Sequence, residues 1–426
     1  MELLDRMDAP LRFILTTFGS AGDLMPLLSI GQTLQGRGHA VTVLTGGGFV
    51  DVVAKCGLDC VPLATPAFFE RSLRDVFLLN TRYHGLFLKR YAVSWNAALL
   101  QYLSSASRAN TIVLGAERPL VWADLCAHLH FGLSGVRMVT DLPPAPGVPA
   151  NEGIISARLQ SALAEKWQAG WSQAVYPLKI RPGHRHVARL THASNRSVPR
   201  LAMWPDWMAP KAPRPAYLRN FGFVGSPQMT SAAAITRPSR RRPLLVFIAG
   251  TVGTTGNWEQ RFAEVSRKIC ERLDCDGLLL GGTAPDGATE SGSFTWRKHV
   301  PLDAVLPSAT ALIHHGGIGT AAAALQHGIP QLIVPRMFSQ PSNARWMQRA
   351  GAAYLIAPED YYPEEGARMV GTLVADDSVR NACMSWREKI NPIADRSRIC
   401  DFVEEWHRRR ITLMVQPCRG TLRATA

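Results

Sequence analysis

A chain of 426 residues is long enough for two domains that each bury their own core, and 46% hydrophobic against 19% charged residues argues against disorder. The formal net charge of +14 favours anionic partners, yet much of it sits in short runs (Arg237, Arg240, Arg241 and Arg242; then Arg408, Arg409 and Arg410) with no nucleic-acid-binding motif beside them. These runs read as solvated linker and tail charge, with contact to an anionic membrane surface as the alternative.

In chain order, the first organised unit begins at Arg12. Leu11, Phe13, Ile14 and Leu15 form a short apolar run that reads as a buried strand. The loop TTFGSAGDLMP follows, then Leu24, Leu27, Leu28, Gly31 and Leu34 recur at helical spacing. Gly36 and Gly38 close that helix, and AVTVLT (40–45) is a second strand. Strand, Gly-rich loop, helix, strand predicts a βαβ unit on a parallel sheet. Residues 66–220 are less regular and rich in aromatic and basic side chains, so no topology is assigned to them.

From 226 to 242 the composition changes to small, Pro and Arg residues without an apolar period, which predicts a linker. Alternation then resumes. PLLVFIAG is a strand; Trp258, Phe262, Val265 and Ile269 line one helix face; GLLLGG and ALIHHGG are strands; TAAAALQHG is a helix; QLIVP, the helix SNARWMQRAG and AAYLI complete a second doubly wound α/β domain. The expected division is an N-terminal domain 1–225, a linker 226–242, a C-terminal domain 243–395, a helix 396–410 crossing back to the first domain, and a tail 411–426.

Eight cysteines show neither a C-x-x-C pair nor a His cluster, so structural thiols in a reducing compartment are the simplest reading. No apolar run approaches the ~18–20 residues of a membrane span, and MELLDRMDAPLRFILTTF lacks a signal-peptide layout. The expectation is a cytoplasmic protein, with peripheral membrane contact left open.

The sharpest chemical signal is ALIHHGGIGTAAAALQHGIPQLIVP, 311–335. A strand delivers His315 to a loop in which Gly316, Gly317 and Gly319 allow close approach of a ligand, and the helix starting near Thr320 offers unpaired N–H groups and a positive dipole end. That combination suits a phosphate; an ordinary glycine turn before a helix is the plainer reading. Asp23, at the start of the first helix, is either a helix-capping carboxylate or a base.

HHGGIGT…HGIPQLIVPRMFSQPSNA resembles the donor-sugar signature of family-one glycosyltransferases of the GT-B fold, nearest to bacterial rhamnosyltransferase-like and sterol-glucosyltransferase-like members. FGSAGDLMPLLSIGQTLQGRGH resembles the same group's N-terminal pattern, and MWPDWMAP and FGFVGSP resemble segments before its linker. The resemblance implies an α/β, GT-B architecture: two Rossmann-like doubly wound domains facing across a cleft. It implies that His315 contacts the diphosphate, that Gly317, Gly319 and Thr320 complete the phosphate cradle, that Gln340 reaches sugar hydroxyls, that Gly250 and Thr251 face the donor, and that His299, Val300 and Leu302 lie near the nucleotide base. Asp23 becomes the general base. The expected reaction is inverting transfer of a hexose from a UDP- or TDP-sugar to a hydroxyl of a hydrophobic small-molecule or lipid-like acceptor.

No Cys/His cluster points to a metal, and the nucleotide sugar is expected to serve as co-substrate with no further cofactor. Phe68, Phe69, Phe77, Tyr83, Phe87, Tyr91 and Trp95 are candidates for an acceptor wall, or else ordinary core. One departure stands out: Ser339 precedes Gln340 where the family usually has Asp. It leaves open the sugar's identity and a catalytically weak auxiliary protein; a separate alternative, a sugar-nucleotide epimerase on the same fold, would need further acid/base carboxylates in the cleft.

Overall fold

The computed structural model describes residues 10–75, 90–91, 93–116, 133–139, 198–208, 218–229, 242–250, 258–281, 293–298, 300–337 and 339–415. Thr251, His299, Phe77, Tyr83, Phe87, Arg237, Arg240 and Arg241, most of the expected linker and the end of the tail lie outside them.

The first sheet is built from β1 (Arg12–Thr16), β2 (Ala40–Gly46), β3 (Asp59–Ala64), β4 (Thr111–Ala116), β5 (Ser134–Val139), β6 (Arg200–Ala202) and β7 (Leu218–Asn220), in the spatial order β3-β2-β1-β4-β5-β6-β7. All pairings are parallel. The helices α1 (Ala21–Gly36), α2 (Val50–Lys55), α3 (Pro66–Arg74) and α4 (Val93–Leu103) flank it. Every residue of β4 and β5 is buried, as expected of strands covered on both faces. On one face Leu24, Leu27, Leu28 and Leu34 of α1 pack on Phe13, Leu15 and Val41. On the other, Trp95 and Leu99 of α4 pack on Ile14 and Val113. Gly31 lets α1 approach the sheet, since a Cβ there would lie 2.7 Å from Leu15.

The second sheet holds β8 (Leu244–Ile248), β9 (Asp276–Leu280), β10 (Phe294–Arg297), β11 (Ala311–His314), β12 (Gln331–Ile333) and β13 (Ala353–Leu355), again all parallel, in the order β10-β9-β8-β11-β12-β13. Its helices are α5 (Trp258–Leu273), α6 (Leu302–Val305), α7 (Ile318–His327), α8 (Gln340–Arg349), α9 (Pro363–Ala375) and α10 (Asp377–Lys389). Trp258, Phe262, Val265 and Ile269 are buried along one face of α5, as their spacing predicts.

Both sheets follow the dinucleotide-fold order, in which chain direction across the sheet reverses at one point and ligands bind outside the strand carboxyl ends there. In the first sheet that point lies between β1 and β4; in the second, between β8 and β11.

A final helix, α11 (Pro392–Val415), packs on α1. Ile399, Cys400 and Val403 enter the core of the first sheet, and Arg37 meets Asp401 at 2.8 Å and Glu404 at 2.9 Å. The basic run on this helix is partly engaged within the chain: Arg408 pairs with Glu404 at 3.4 Å and Arg410 donates to Ser134 Oγ at 3.0 Å. Elsewhere Trp207 stacks on Trp386 of α10 with ring centroids 4.0 Å apart, and helices α1 and α7, one from each sheet, are in contact. Among the described residues no helix is long and apolar enough to cross a membrane.

Candidate active site

Strand β11 ends in two histidines with opposite tasks. His314 is fully buried. Its Nε2 lies 3.0 Å from Gln331 Oε1 on β12, and its Nδ1 accepts the Gly316 N–H at 3.2 Å. That pattern requires a neutral ring carrying its proton on Nε2. Burial, with the neighbouring His315 as a smaller cause, lowers its pKa to about 3. His314 therefore fixes the turn rather than facing a ligand.

His315 is wedged between two glycines. A Cβ on Gly250 would lie 2.9 Å from its ring, and one on Gly317 would lie 2.6 Å from Nε2. Gly250 has φ +94° and Gly316 φ +90°, a region that disfavours side chains. Nδ1 sits 3.4 Å from the Ile248 carbonyl, leaving Nε2 above the start of α7. Burial lowers the pKa to about 4; the Ile248 carbonyl opposes that shift and the charge of Arg336 assists it.

Helix α7 has Gly317 as its N-cap, and its first intrahelical bond runs from Ala321 N to Gly317 O. The N–H groups of Ile318, Gly319 and Thr320 thus have no acceptor within the helix. Gly319 is exposed, and a Cβ there would meet nothing within 4 Å, so the space over this helix end is open. Thr320 is half-buried. The structure thereby brings together Gly250, His315, Gly317, Gly319 and Thr320.

The other predicted donor residues are placed less directly. Gln340 begins α8, and its Oε1 accepts the backbone N–H groups of Arg336 at 2.9 Å and Met337 at 3.1 Å. With the carbonyl oxygen so engaged, what its side chain can offer a sugar is an amide N–H donor. Val300 lies just past the end of β10, the strand at one edge of the sheet. Val300 and Leu302 pack beside the cluster of Val246, Leu278 and Ala323. Ser339 is the N-cap of α8 and makes no side-chain capping bond.

Asp23 lies at the carboxyl end of β1, at the reversal point of the first sheet. It is 1% exposed and closes a capping box with Ser20, whose backbone N donates to Oδ2 at 2.8 Å and whose Oγ lies 3.2 Å from the same oxygen. Gly19 makes this possible, for a Cβ there would fall 2.0 Å from Oδ2. The capping task is thus real, and any acceptor must reach a carboxylate already held by Ser20.

The aromatic residues offered as an acceptor wall are core where they are described. Phe69, Tyr91 and Trp95 are buried with Phe18 and Leu99, and half-buried Phe68 packs against the same cluster. Phe69 on α3, Trp95 on α4 and Tyr91, just before α4, all pack against Ile14, Leu44 and Val113 of the sheet. Among the described residues no three His, Cys, Asp or Glu side chains converge as a metal site would require.

Several residues of the site escaped the sequence reading as participants. Asn343 is buried and donates from Nδ2 to Gly316 O at 3.0 Å. Gln331 is a buried polar side chain inside an apolar strand, a pattern that signals a partner, here His314. Arg336, which from the sequence is either a solvated loop residue or a residue favouring an acidic sugar, is half-buried with its guanidinium 4.5 Å from the Trp258 ring centroid.

Comparison with known proteins agrees with this geometry at both ends of the chain. Residues 13–122 match the glycosyltransferase family 28 N-terminal domain, and residues 292–395 match the erythromycin biosynthesis protein CIII-like C-terminal domain. The L-demethylnoviosyl transferase of Streptomyces niveus is 27% identical over 82% of this chain and 86% of its own length. The O-mycaminosyltylonolide 6-deoxyallosyltransferase of Streptomyces fradiae is 24% identical over 94% of this chain and 99% of its own. The crystal structure of the glycosyltransferase VinC in complex with dTDP superposes with a TM-score of 0.60 over 93% of this chain and all of that one, at 19% identity, a likeness of fold. The two named sugar transferases are neither rhamnosyl- nor sterol-glucosyltransferases by name, so the finer resemblance drawn from the motifs is not what they speak to. Two parallel dinucleotide-like sheets and a family match at each end identify the chain as a nucleotide-sugar-dependent glycosyltransferase of the GT-B-fold, family-one type.

Proposed function

We propose that the chain transfers a hexose from a nucleoside diphosphate, dTDP or UDP, to a hydroxyl of a small hydrophobic acceptor by a single inverting displacement. The observation that carries the donor half is the wedge of His315 between Gly250 and Gly317, over an open helix start. The diphosphate lies against the N–H groups of Ile318, Gly319 and Thr320, with His315 Nε2 beside it. These are preorganised dipoles aimed where negative charge develops as the leaving group departs.

The acceptor half rests on Asp23. The acceptor oxygen forms a bond to the anomeric carbon as the bond from that carbon to the phosphate oxygen breaks. The acceptor proton passes to the Asp23 carboxylate, and the bonding pair leaves with the diphosphate. One displacement with one base inverts the anomeric centre. The scheme calls on no resident metal or cofactor.

Two points support a deoxyhexose of dTDP over a fully hydroxylated sugar. The Streptomyces fradiae relative is named as a 6-deoxyallosyltransferase, and one relative of the same fold was crystallised with dTDP. A neutral Ser339 beside Gln340 offers weaker hydrogen bonding to sugar hydroxyls than a carboxylate does, which suits a sugar with fewer of them. The acceptor class rests on the named small-molecule acceptor of that relative, since the described aromatics are core.

The test is a matrix of dTDP- and UDP-sugars against hydroxylated macrolide and aromatic acceptors, with product anomeric configuration read by NMR. An inverted glycoside from a dTDP-deoxyhexose is the expected product. Donor binding without transfer across the matrix would favour the auxiliary reading that Ser339 left open, and a changed donor sugar without transfer would favour the epimerase.

A further inference from the structure

The donor reading above places a diphosphate beside a histidine that is neutral in the folded protein, so the site needs a lasting positive charge from elsewhere. The end of β12 supplies one. Ile333 pairs with His314 across β11 and β12, so the loops that follow the two strands leave the sheet side by side. Arg336 lies three residues along the second loop. That loop is pinned twice. Gln340 Oε1 takes the N–H groups of Arg336 and Met337, and the Gln340 carbonyl packs against the His315 turn so closely that a Cβ on Gly316 would sit 3.1 Å from it.

The side chain is held as firmly as the loop. Its guanidinium lies over Trp258, the first residue of α5, whose ring packs on Phe262 and Tyr361 at centroid distances of 5.7 and 6.5 Å. The Trp258 Nε1 proton is buried and has no hydrogen-bond partner among the described residues. A guanidinium stacked on an indole presents its N–H donors around its edge, in the planar fork that matches an oxyanion. Holding the cation in place beforehand removes much of the ordering cost of binding. Burial lowers the Arg336 pKa from its ordinary value, opposed by the charge of Glu259, and its charge in turn opposes protonation of His315.

We propose that Arg336, presented by Trp258, is an oxyanion-binding residue of the donor site, contacting the diphosphate or a carboxylate carried by the donor sugar. It differs from the helix start and His315 in bringing a full charge and a two-pronged geometry. It also gives the loop between β12 and α8, where Ser339 breaks the family pattern, a recognition role of its own.

The experiment is titration calorimetry of wild type, Arg336→Ala, Arg336→Lys and Arg336→Gln with dTDP, dTMP, UDP-glucose and UDP-glucuronate, with melting temperatures alongside. A charge-assisted contact predicts that Arg336→Ala and Arg336→Gln weaken dTDP about ten- to hundredfold while dTMP changes less. Arg336→Lys recovers part of the loss, because it keeps the charge without the fork. If dTDP affinity holds and only the preference for UDP-glucuronate over UDP-glucose collapses, the carboxylate is the anion. Unchanged affinities for dTDP and both sugar nucleotides in folded Arg336→Gln overturn the proposal, and a drop in melting temperature alone assigns the stack a structural role. A wild type that binds none of the four nucleotides removes the donor reading itself.

Discussion

The turn after β1 and the turn after β11 both lie at the reversal points of their sheets, on opposite sides of them, and are built in opposite ways. Asp23 is held locally: its carboxylate bonds to Ser20, three residues back, and Gly19 clears room for it. His315 is held from afar. Its ring contacts lie 67 residues away at Ile248, its turn is tied to α8 by Asn343 over a separation of 27, and its neighbour His314 is fixed by Gln331 over a separation of 17. A carboxylate at a helix start can be positioned by one turn of chain. A rigid anion-binding face needs glycines, a buried imidazole and three strand ends brought together by the fold.

That contrast predicts different failures. The largest effect belongs to Asp23→Asn, which keeps size and capping but removes basicity. Transfer should fall by about 10²–10⁴-fold with little change in melting temperature. Wild-type turnover by a folded Asp23→Asn protein would reduce the residue to a cap.

Next come the two glycines that shape the turns. Gly19→Ala drives a Cβ into the Asp23 carboxylate, and a displaced base should lower turnover on the order of 10²-fold while dTDP binding persists. Gly317→Ala presses on His315 Nε2 and should do the reverse, weakening dTDP first. Steady-state kinetics beside calorimetry on both variants reads the split, and identical profiles would erase the distinction between the turns.

A smaller effect is expected from Asn343→Ala. It removes the donor to the buried Gly316 carbonyl, and should cost about 1–3 kcal/mol in denaturant unfolding. Acid gives a separate stability response. His314 and His315 are held below the ordinary value of 6.5, at about 3 and about 4. The unfolded chain therefore binds more protons than the folded one in that window. Stability is full above about pH 6.5 and declines as pH falls toward about 4. A melting temperature flat between about pH 7 and about pH 4.5 would contradict the burial of these rings.

The same contrast explains what could be read from the sequence. Fold class was legible, because Leu24, Leu27, Leu28 and Leu34, and Trp258, Phe262, Val265 and Ile269, mark helices whose apolar faces recur at 3.6 residues. Strands β6 and β7, of three residues each, are too short to show a period, so that edge of the first sheet was not. In the site, His315 and its glycines were visible as a motif within one segment. Gly250, 65 residues upstream, came only through the family resemblance. The tasks of His314, Gln331, Asn343 and Arg336 depend on contacts between strand ends that spacing along the chain does not encode. The Phe69, Tyr91 and Trp95 reading failed for the converse reason: aromatic content alone does not say which way a helix face turns.

The central claim is a division of labour, with donor binding at the turn after β11 and proton removal at the turn after β1. Titration of dTDP into Asp23→Asn and His315→Ala, side by side with wild type, tests it most directly. The account predicts that Asp23→Asn binds dTDP as wild type does, and that His315→Ala binds it about ten- to hundredfold more weakly. Equal affinity in all three, or a loss confined to Asp23→Asn, would contradict it.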